Sequence, residues 1–586
     1  LRVGGTIIPT LASFPAGHVE PELVARLLDT LNQDSVTLVA LMGFWGEIGP
    51  KDWQAFRRRL EEKIGWVPPV EAIAATPTLF EPPVDDFNLC DVVFSKQNLD
   101  SSAEIVAPSL NQKMTYAELM REVQTIASYL HESGARPGHI IGVAAPDDLC
   151  TSSIMLAALW IGCTFVPLNH HASPDNFASM LNSSKPDLII YDIACVRPHG
   201  DSLAQSSSSK VELKVFKSSI RSHPIASKNA FNNPLPVSPN TGAVLLFTSG
   251  STGRPKGVLH THSDFVTCAR NYGYFTVDIT ANDRVYSPSP SFFAYGINTA
   301  LLTLLCGATY IIATPQKVLD TADILEHHRV SVLFAVPAVF KRLMLNKKSE
   351  HIYPALRLCI SAGEKLPSRL SHEVSRRLGV PVLDGIGCTE TISTFISNRI
   401  SNNAPGTTGT VVPGFAVRLV NRKGEPCQIG EVGVLLVAGN TLVARYFEAD
   451  SRANSQFQDG WFDTKDMFFM DTNHRFYCVG RSSSVIKING CWFSPETIES
   501  VLQTHPLVDE CGVGVIIDEF GLPRPKAFVV LRGETETKGL WKELGELSKA
   551  QLGKDHYPHL FQAVARLPRT PSGKLLRSAL NTQTVC

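Results

Sequence analysis

The sequence predicts an α/β protein: layered α/β subdomains over most of its length, then a β-rich subdomain, then a small α/β domain at the C-terminal end. Three observations carry this. Short apolar runs alternate with helical repeats through most of the chain, as parallel sheet covered by helices requires. After Gly406 the texture changes to short strand-like runs, FAVRLVN, VGVLLVAG and RFYCVG, before alternation resumes with IESVLQTH, GVGVIID and KAFVVLRG. The chain also has 586 residues, too many for one core. Length alone suggests roughly three to four domain-sized units.

In chain order, HVEPELVARLLDTL has helical period and SVTLVALMGFW reads as an apolar strand. DWQAFRRRLEEKIGW predicts an amphipathic helix, and TPTLFEPPVDD a proline-rich exit. Residues 1–84 are thus an N-terminal extension with no recognisable chemistry. TYAELMREVQTIASYLHESG predicts a helix, HIIGVAAP and DLIIYD strands. The longest apolar run, Ile154–Leu168, is too short to span a bilayer, carries a glycine midway and meets Pro167. It reads as a buried helix running into a strand. QSSSSK and NAFNNPLPVSPNTG have the composition of surface loops.

Composition excludes several classes. Hydrophobic residues make up 44%, charged residues 19%, and the formal net charge is −1. Such a balance offers no field for nucleic acid or an anionic membrane surface. The 13 cysteines form no CxxC pair, which argues against structural zinc and redox dithiols and for single thiols in a reducing compartment. No basic segment followed by an apolar one opens the chain, and Thr584-Val585-Cys586 is not a peroxisomal address. The expectation is a cytoplasmic protein without a membrane span or nucleic-acid partner, its oligomeric state unspecified. The chain starts at Leu1 rather than Met, as a fragment of something longer would.

The most informative stretch is LLFTSGSTGRPKGVLHTH, Leu245–His262. A strand running into a Gly/Ser/Thr loop suits phosphate: glycines let the backbone approach the anion, consecutive N–H groups form a nest, and hydroxyls add donors. It is not a Walker A loop, because Lys256 precedes Gly257 and no Ser/Thr follows.

The decamer TSGSTGRPKG resembles the phosphate-binding motif of the adenylate-forming superfamily, which includes acyl- and aryl-CoA ligases, luciferases and adenylation domains of peptide synthetases. Further motifs follow in that family's order, from about Phe87 to Ala579. Ser361-Ala362-Gly363-Glu364 is similar to the adenine-side turn. Asp384-Gly385-Ile386-Gly387-Cys388-Thr389-Glu390 resembles the G-x-T-E segment. Asp466 and Arg481 stand where the family holds the ribose, and Lys574, in PSGKL, matches its catalytic lysine.

The resemblance implies an adenylation core over 85–480 and a mobile lid domain over 481–586. It implies ATP-dependent conversion of a carboxylic acid to acyl-AMP, followed by thioester formation with coenzyme A. Thr248, Ser249, Gly250, Ser251, Thr252, Gly253, Lys256 and Gly257 would cradle the β- and γ-phosphates. Thr389 would hold the α-phosphate, and Thr248 and Glu390 would hold Mg²⁺, a hard cation that takes oxygen ligands. Lys574 would bridge the attacking carboxylate and the α-phosphate. Lys487 and Gly490, in IKING, resemble the face that serves the second half-reaction, and Gly490 would let the pantetheine arm pass.

The nearest branch in texture is benzoate-CoA ligase, on FFAYGINTALLTLLCGATYII, DGIGCTETISTFISN and PKGVLHTHSDF. His262 joins the catalytic residues on that resemblance. Phe293, Ala294, Tyr295, Gly296, Ala335, Thr391, Ile392 and Ser393 would line the acyl pocket. Thr391-Ile392-Ser393-Thr394 is smaller and more hydroxylated than this branch carries, which implies a substituted or larger aryl acid. Two further departures stand out: Ser482-Ser483-Ser484 replaces an acidic hinge, and Lys465 replaces a glycine. Two alternatives stay open: loading of a carrier protein in place of coenzyme A, and a catalytically silent nucleotide-binding scaffold.

Overall fold

The computed structural model describes residues 2–3, 6–7, 86–222, 231–249, 255–313, 320–345, 353–421, 423–449, 453–482, 486–488, 491–493, 495–517, 523–533, 539–552, 558, 560–569 and 575–581. The helices expected over 18–31 and 52–66 and the strand over 35–45 lie outside the described residues. The chain divides into two compact units. One comprises Leu1–Arg418, Leu436–Phe462 and Asn473–Phe476; the other comprises Leu419–Leu435, Asp463–Thr472 and Tyr477–Cys586.

The first unit holds two large sheets. The six-stranded sheet runs, edge to edge, Pro255–Thr261, Gly242–Ser249, Thr164–Pro167, Ile140–Ala144, Leu188–Tyr191 and Ser209–Glu212. All neighbours are parallel except the first pair, which is an antiparallel hairpin. The long apolar run behaves as its pattern predicts. The helix Leu149–Trp160 is buried on nearly every side and feeds the fully buried strand Thr164–Pro167. The helix Tyr116–Glu132 starts at Thr115, whose hydroxyl accepts from the Glu118 amide while the Glu118 carboxylate accepts from the Thr115 amide. This reciprocal cap satisfies two otherwise orphaned donors. Its face Leu119, Val123, Ile126, Ala127 and Leu130 has no exposed surface. Each large apolar side chain so buried contributes about 1.5–3 kcal/mol.

The nine-stranded sheet has a parallel centre in which Val332–Ala335, Leu358–Ser361 and Val382–Gly387 are neighbours. Their ends are in register, Ala335 opposite Ser361 and Ser361 opposite Asp384. Three small or polar residues thus share one level at the C-terminal ends of parallel strands, where open α/β sheets bind ligands.

Beyond Gly406 strands predominate, as expected: Phe415–Val420, Gly433–Gly439, Phe457–Gln458, Trp461–Met470 and Phe476–Arg481. The second unit includes a three-stranded sheet, Val508–Ile517 antiparallel to Pro523–Leu531 and Leu560–Ala563 parallel to it. Helices Pro495–Leu502 and Leu540–Leu552 close a core of Ile498, Leu502, Val508, Val513, Val529 and Leu544. A partly buried pair ties the last described helix, Arg577–Asn581, to this body. Arg577 Nη2 donates to Glu499 Oε2 at 2.8 Å, and the same carboxylate accepts from the Val513 amide at 2.6 Å.

Removing one partner of such a pair strands the other charge. Glu499→Ala is therefore expected to cost the protein about 2–3 kcal/mol, read as a lower urea midpoint, whereas Glu510→Ala, at an exposed ion pair with Arg569, costs under about 1 kcal/mol.

Candidate active site

The polar loop of the opening motif joins two strands that pair antiparallel, with Ser249 opposite Pro255 and Thr248 opposite Lys256. Residues 250–253 and the Ser249 side chain lie outside the described residues. Both flanks are fixed from below, since Leu245 on one strand and Val258 on the other have no exposed surface. Gly257 has a specific steric role. A Cβ there would stand 3.1 Å from Phe447 Cβ and 3.2 Å from Leu245 Cδ1, and its carbonyl accepts from the Phe447 amide at 2.8 Å.

The same hairpin holds the G-x-T-E turn. His260, wholly buried, donates from Nε2 to the carbonyl oxygen of Thr389 at 2.7 Å, and its Nδ1 lies 3.3 Å from Asp264 Oδ2. From the other side, the Val443 amide donates to the Glu390 carbonyl at 3.0 Å and the Thr441 hydroxyl to the Thr391 carbonyl at 2.7 Å. Thr389–Thr391 is a short 3₁₀ turn clamped on both flanks. It leads into Ile392, buried and with φ of +49°, a left-handed conformation that a β-branched side chain adopts only when its surroundings impose it.

Glu390 is itself 6% exposed, and its Oε1 accepts from the phenolic hydroxyl of Tyr446 at 2.6 Å. Burial and the neighbouring carboxylate hold that phenol far above its ordinary pKa, so it stays a donor. The Lys256 ammonium lies 4.6 Å from the centre of the same ring. The structure thereby brings together Thr248, Lys256, Gly257, Thr389 and Glu390, and adds Tyr446 and His260. Tyr446 carried no sequence signal: VARYFE has neither turn residues nor charge spacing, and Glu390 is 56 residues away.

At the strand ends, Ser361 Oγ and Asp384 Oδ1 are buried without a hydrogen-bond partner. Burial pushes the Asp384 carboxyl well above the usual carboxylate range. Orphaned polar atoms of this kind await a ligand or water. The turn that follows places Gly363 at φ of +87°, with Gly363 and Glu364 exposed. Phe293 caps the helix Ala294–Leu305, and Tyr295 in its first turn donates to the Ile360 carbonyl at 3.1 Å. Gly296 admits no side chain, because a Cβ would lie 2.1 Å from the Pro290 carbonyl oxygen. The Thr391 hydroxyl donates to the Ser393 carbonyl at 2.8 Å, and the Ser393 hydroxyl to the Thr394 carbonyl at 3.3 Å. These hydroxyls are spent on backbone.

His262 sits apart from this cluster. It is wholly buried, its Nδ1 accepts from the Leu89 amide at 3.3 Å, and burial lowers its pKa to about 4. The imidazole is neutral in this geometry, and its Nε2 is buried without a hydrogen-bond partner.

In the second unit, Arg481 Nε pairs with Asp466 Oδ1 at 3.0 Å and Nη1 donates to the Thr464 carbonyl at 2.6 Å. Lys465, between them, has φ of +61°, which explains why a glycine is expected there. Its ammonium pairs with Asp463 at 2.6 Å. Lys574, Gly490, Ser483, Ser484 and the Lys487 side chain lie outside the described residues. The chain on either side of 570–574 is held by an antiparallel bridge between Arg569 and Leu575. No described helix is long and apolar enough to cross a membrane.

Comparison with known proteins agrees with this layout. Residues 95–447 match the family described as AMP-binding enzyme, and residues 497–574 match the AMP-binding enzyme C-terminal domain. The chain is similar to a 4-hydroxybenzoate–CoA/benzoate–CoA ligase of Rhodopseudomonas palustris, 29% identical over 86% of this chain and 95% of that one. Among solved structures it resembles the anthranilate CoA ligase AuaEII in complex with anthranoyl-AMP, with a TM-score of 0.79 and 26% identity over 86% of this chain and 98% of that one. It also resembles a benzoate CoA ligase from Burkholderia xenovorans LB400, with a TM-score of 0.75 and 29% identity over 84% of this chain and all of that one, 100%.

Two outcomes are expected from these environments. His262 has a folded pKa of about 4, below its unfolded value of 6.5, so its contribution is present above pH 6.5 and lost as pH falls toward 4. His262→Gln should therefore lose less stability than wild type between pH 6.5 and 4, by roughly 2–3 kcal/mol in urea titrations. Lys465→Gly should raise the melting temperature, because relief of the left-handed strain, about 1–2 kcal/mol, exceeds the loss of an exposed ion pair.

Proposed function

The chain belongs to the AMP-binding enzyme family, and from that premise we propose that it activates an aromatic carboxylic acid with ATP and transfers the acyl group to coenzyme A. The observation that carries this reading is the convergence of Lys256, from the polar-loop hairpin, and Glu390, from the clamped turn, on one buried tyrosine. A cation and an anion held against one aromatic side chain suit a polyphosphate and its counterion.

In the first step a carboxylate oxygen attacks the α-phosphorus of ATP, an acyl–phosphate bond forms, and pyrophosphate leaves. Two anions must meet, so the site has to neutralise charge and hold an in-line geometry. Thr248, Ser249, Ser251, Thr252 and Lys256 take the β- and γ-phosphates, and Thr389 the α-phosphate. Asp466 takes the ribose hydroxyls, oriented by Arg481. Ser361 and Asp384, with buried orphan atoms, accept polar atoms of the nucleotide beside Ala362, Gly363, Glu364, Gly385, Ile386 and Gly387. Glu390 fits Mg²⁺: it is a buried carboxylate held in one orientation by the Tyr446 hydroxyl, and carboxylate oxygen suits a hard cation. When bound, that ion supplies charge neutralisation on the phosphate oxygens. Lys574 bridges the carboxylate and the α-phosphate.

In the second step the thiolate of coenzyme A attacks the acyl carbonyl, the thioester forms, and AMP leaves. Lys487 and Gly490 serve this step. The acid is a benzoate-like ring bound against Phe293, Ala294, Tyr295, Gly296, Ala335, Thr391, Ile392 and Ser393. The small residues at 391–393 favour a substituted ring over benzoate itself.

Acid-dependent ATP–pyrophosphate exchange across benzoates, aminobenzoates, hydroxybenzoates, cinnamates and short fatty acids tests the reading, with mass detection of the thioester. Exchange confined to aryl acids and a thioester product are expected, and Glu390→Gln should lower exchange roughly 100-fold or more. Exchange without a coenzyme A product would point to a carrier-protein acceptor. No exchange with any acid, despite ATP binding, would overturn the ligase reading.

A further inference from the structure

Tyr446 is 2% exposed, and every part of it is engaged. Its amide donates to Asn454 Oδ1 at 2.8 Å, and its ring meets Phe457 edge-on with centroids 5.2 Å apart. Its neighbour Phe447 is tied to Gly257, and Val443 to Glu390. The segment is therefore stitched at once to the polar-loop hairpin and to the clamped turn. The ring face receives the Lys256 ammonium, and the hydroxyl at the ring's end donates to Glu390.

The chemistry of this arrangement is specific. Where water is scarce, an ammonium and a carboxylate left to themselves close into a direct ion pair, because their attraction grows as the dielectric falls. An aromatic ring offers the ammonium a weaker seat through its quadrupole. A phenol offers the carboxylate a single short hydrogen bond and no competing charge. One neutral side chain thus occupies both partners without neutralising either, and fixes one oxygen of the carboxylate.

We propose that Tyr446 is the positioning residue of the site: it orients the Glu390 carboxylate toward the metal–nucleotide and holds Lys256 in place on its ring. This rests on the reading of Glu390 as the metal-facing carboxylate. Tyr446 acts through Glu390 and Lys256 and takes no part in bond making.

The test separates the hydroxyl from the ring. Tyr446→Phe keeps the ring and its packing; Tyr446→Leu removes both. Three readouts are needed: Mn²⁺ retention in the presence of ATP by electron paramagnetic resonance, the Mg²⁺ and ATP dependence of exchange, and the melting temperature. Tyr446→Phe should weaken Mn²⁺ retention and raise the half-saturating Mg²⁺ roughly 10-fold, the usual effect of losing a group that orients a metal ligand, with melting temperature and acid KM unchanged. Tyr446→Leu should add a rise in the KM for ATP. The double variant Tyr446→Phe/Glu390→Gln should retain Mn²⁺ no worse than Glu390→Gln alone, since one residue acts through the other.

Additive losses in that double variant would overturn the proposal. So would wild-type Mn²⁺ retention in Tyr446→Phe, or losses in both tyrosine variants that only track a lowered melting temperature. Mn²⁺ binding reads the arrangement directly, so a wild-type protein that binds Mn²⁺ and ATP through Glu390 yet exchanges no acid would sink the ligase reading and leave this one standing. Mn²⁺ binding in wild type that does not depend on Glu390 would overturn this one.

Discussion

The hydrogen bond from His260 to the Thr389 carbonyl is the join on which the site's geometry depends. His260 belongs to the edge hairpin of the six-stranded sheet, and Thr389 to the turn that follows a strand of the nine-stranded one. The bond is part-buried and its donor wholly so, and losing the donor costs about 1–3 kcal/mol where water does not replace it. The energy matters less than the direction. The bond sets where the polar loop's strands end relative to Glu390, and everything from Lys256 to Tyr446 is arranged around that separation.

Strain is held at two positions, one in each unit. Ile392 and Lys465 both occupy left-handed backbone that glycine would adopt freely, one at the exit of the clamped turn and one in the second unit beside Asp466. Positions of this kind persist only where neighbouring bonds outvote the local preference. At Ile392 the outvoting groups are the Thr391 and Ser393 backbone bonds and close packing; at Lys465 the amide and ammonium both hold Asp463.

Much of the architecture was legible in the residues. The buried helix running into a strand at Ile154–Leu168, the capped helix from Thr115 and the strand-rich texture after Gly406 follow from periodicity and capping, which are local properties. The resemblance to adenylate-forming enzymes is shared by the matched family and the similar structures. What escaped was long-range. Tyr446 pairs with a residue far away in sequence and sits in a segment with no turn or charge pattern. His262 and His260 are two residues apart in a strand-to-helix junction, and nothing in PKGVLHTH says which faces the turn and which packs on Leu89. The left-handed seat of Lys465 was foreshadowed only by the glycine the resemblance led one to expect there.

Gly296 and Gly387 are bounded by backbone: added Cβ atoms would lie 2.1 Å from the Pro290 oxygen and 2.6 Å from the Ser393 oxygen. Backbone cannot rotate aside as a side chain can, so these positions are closed to variation while the loops around them keep their course. Any change around these two positions, in nature or in a directed-evolution library, has to run through the neighbours that still have a side chain to exchange. The room for variation is therefore narrower than the number of positions suggests, and a library that randomised both glycines would spend most of its members on strained backbone.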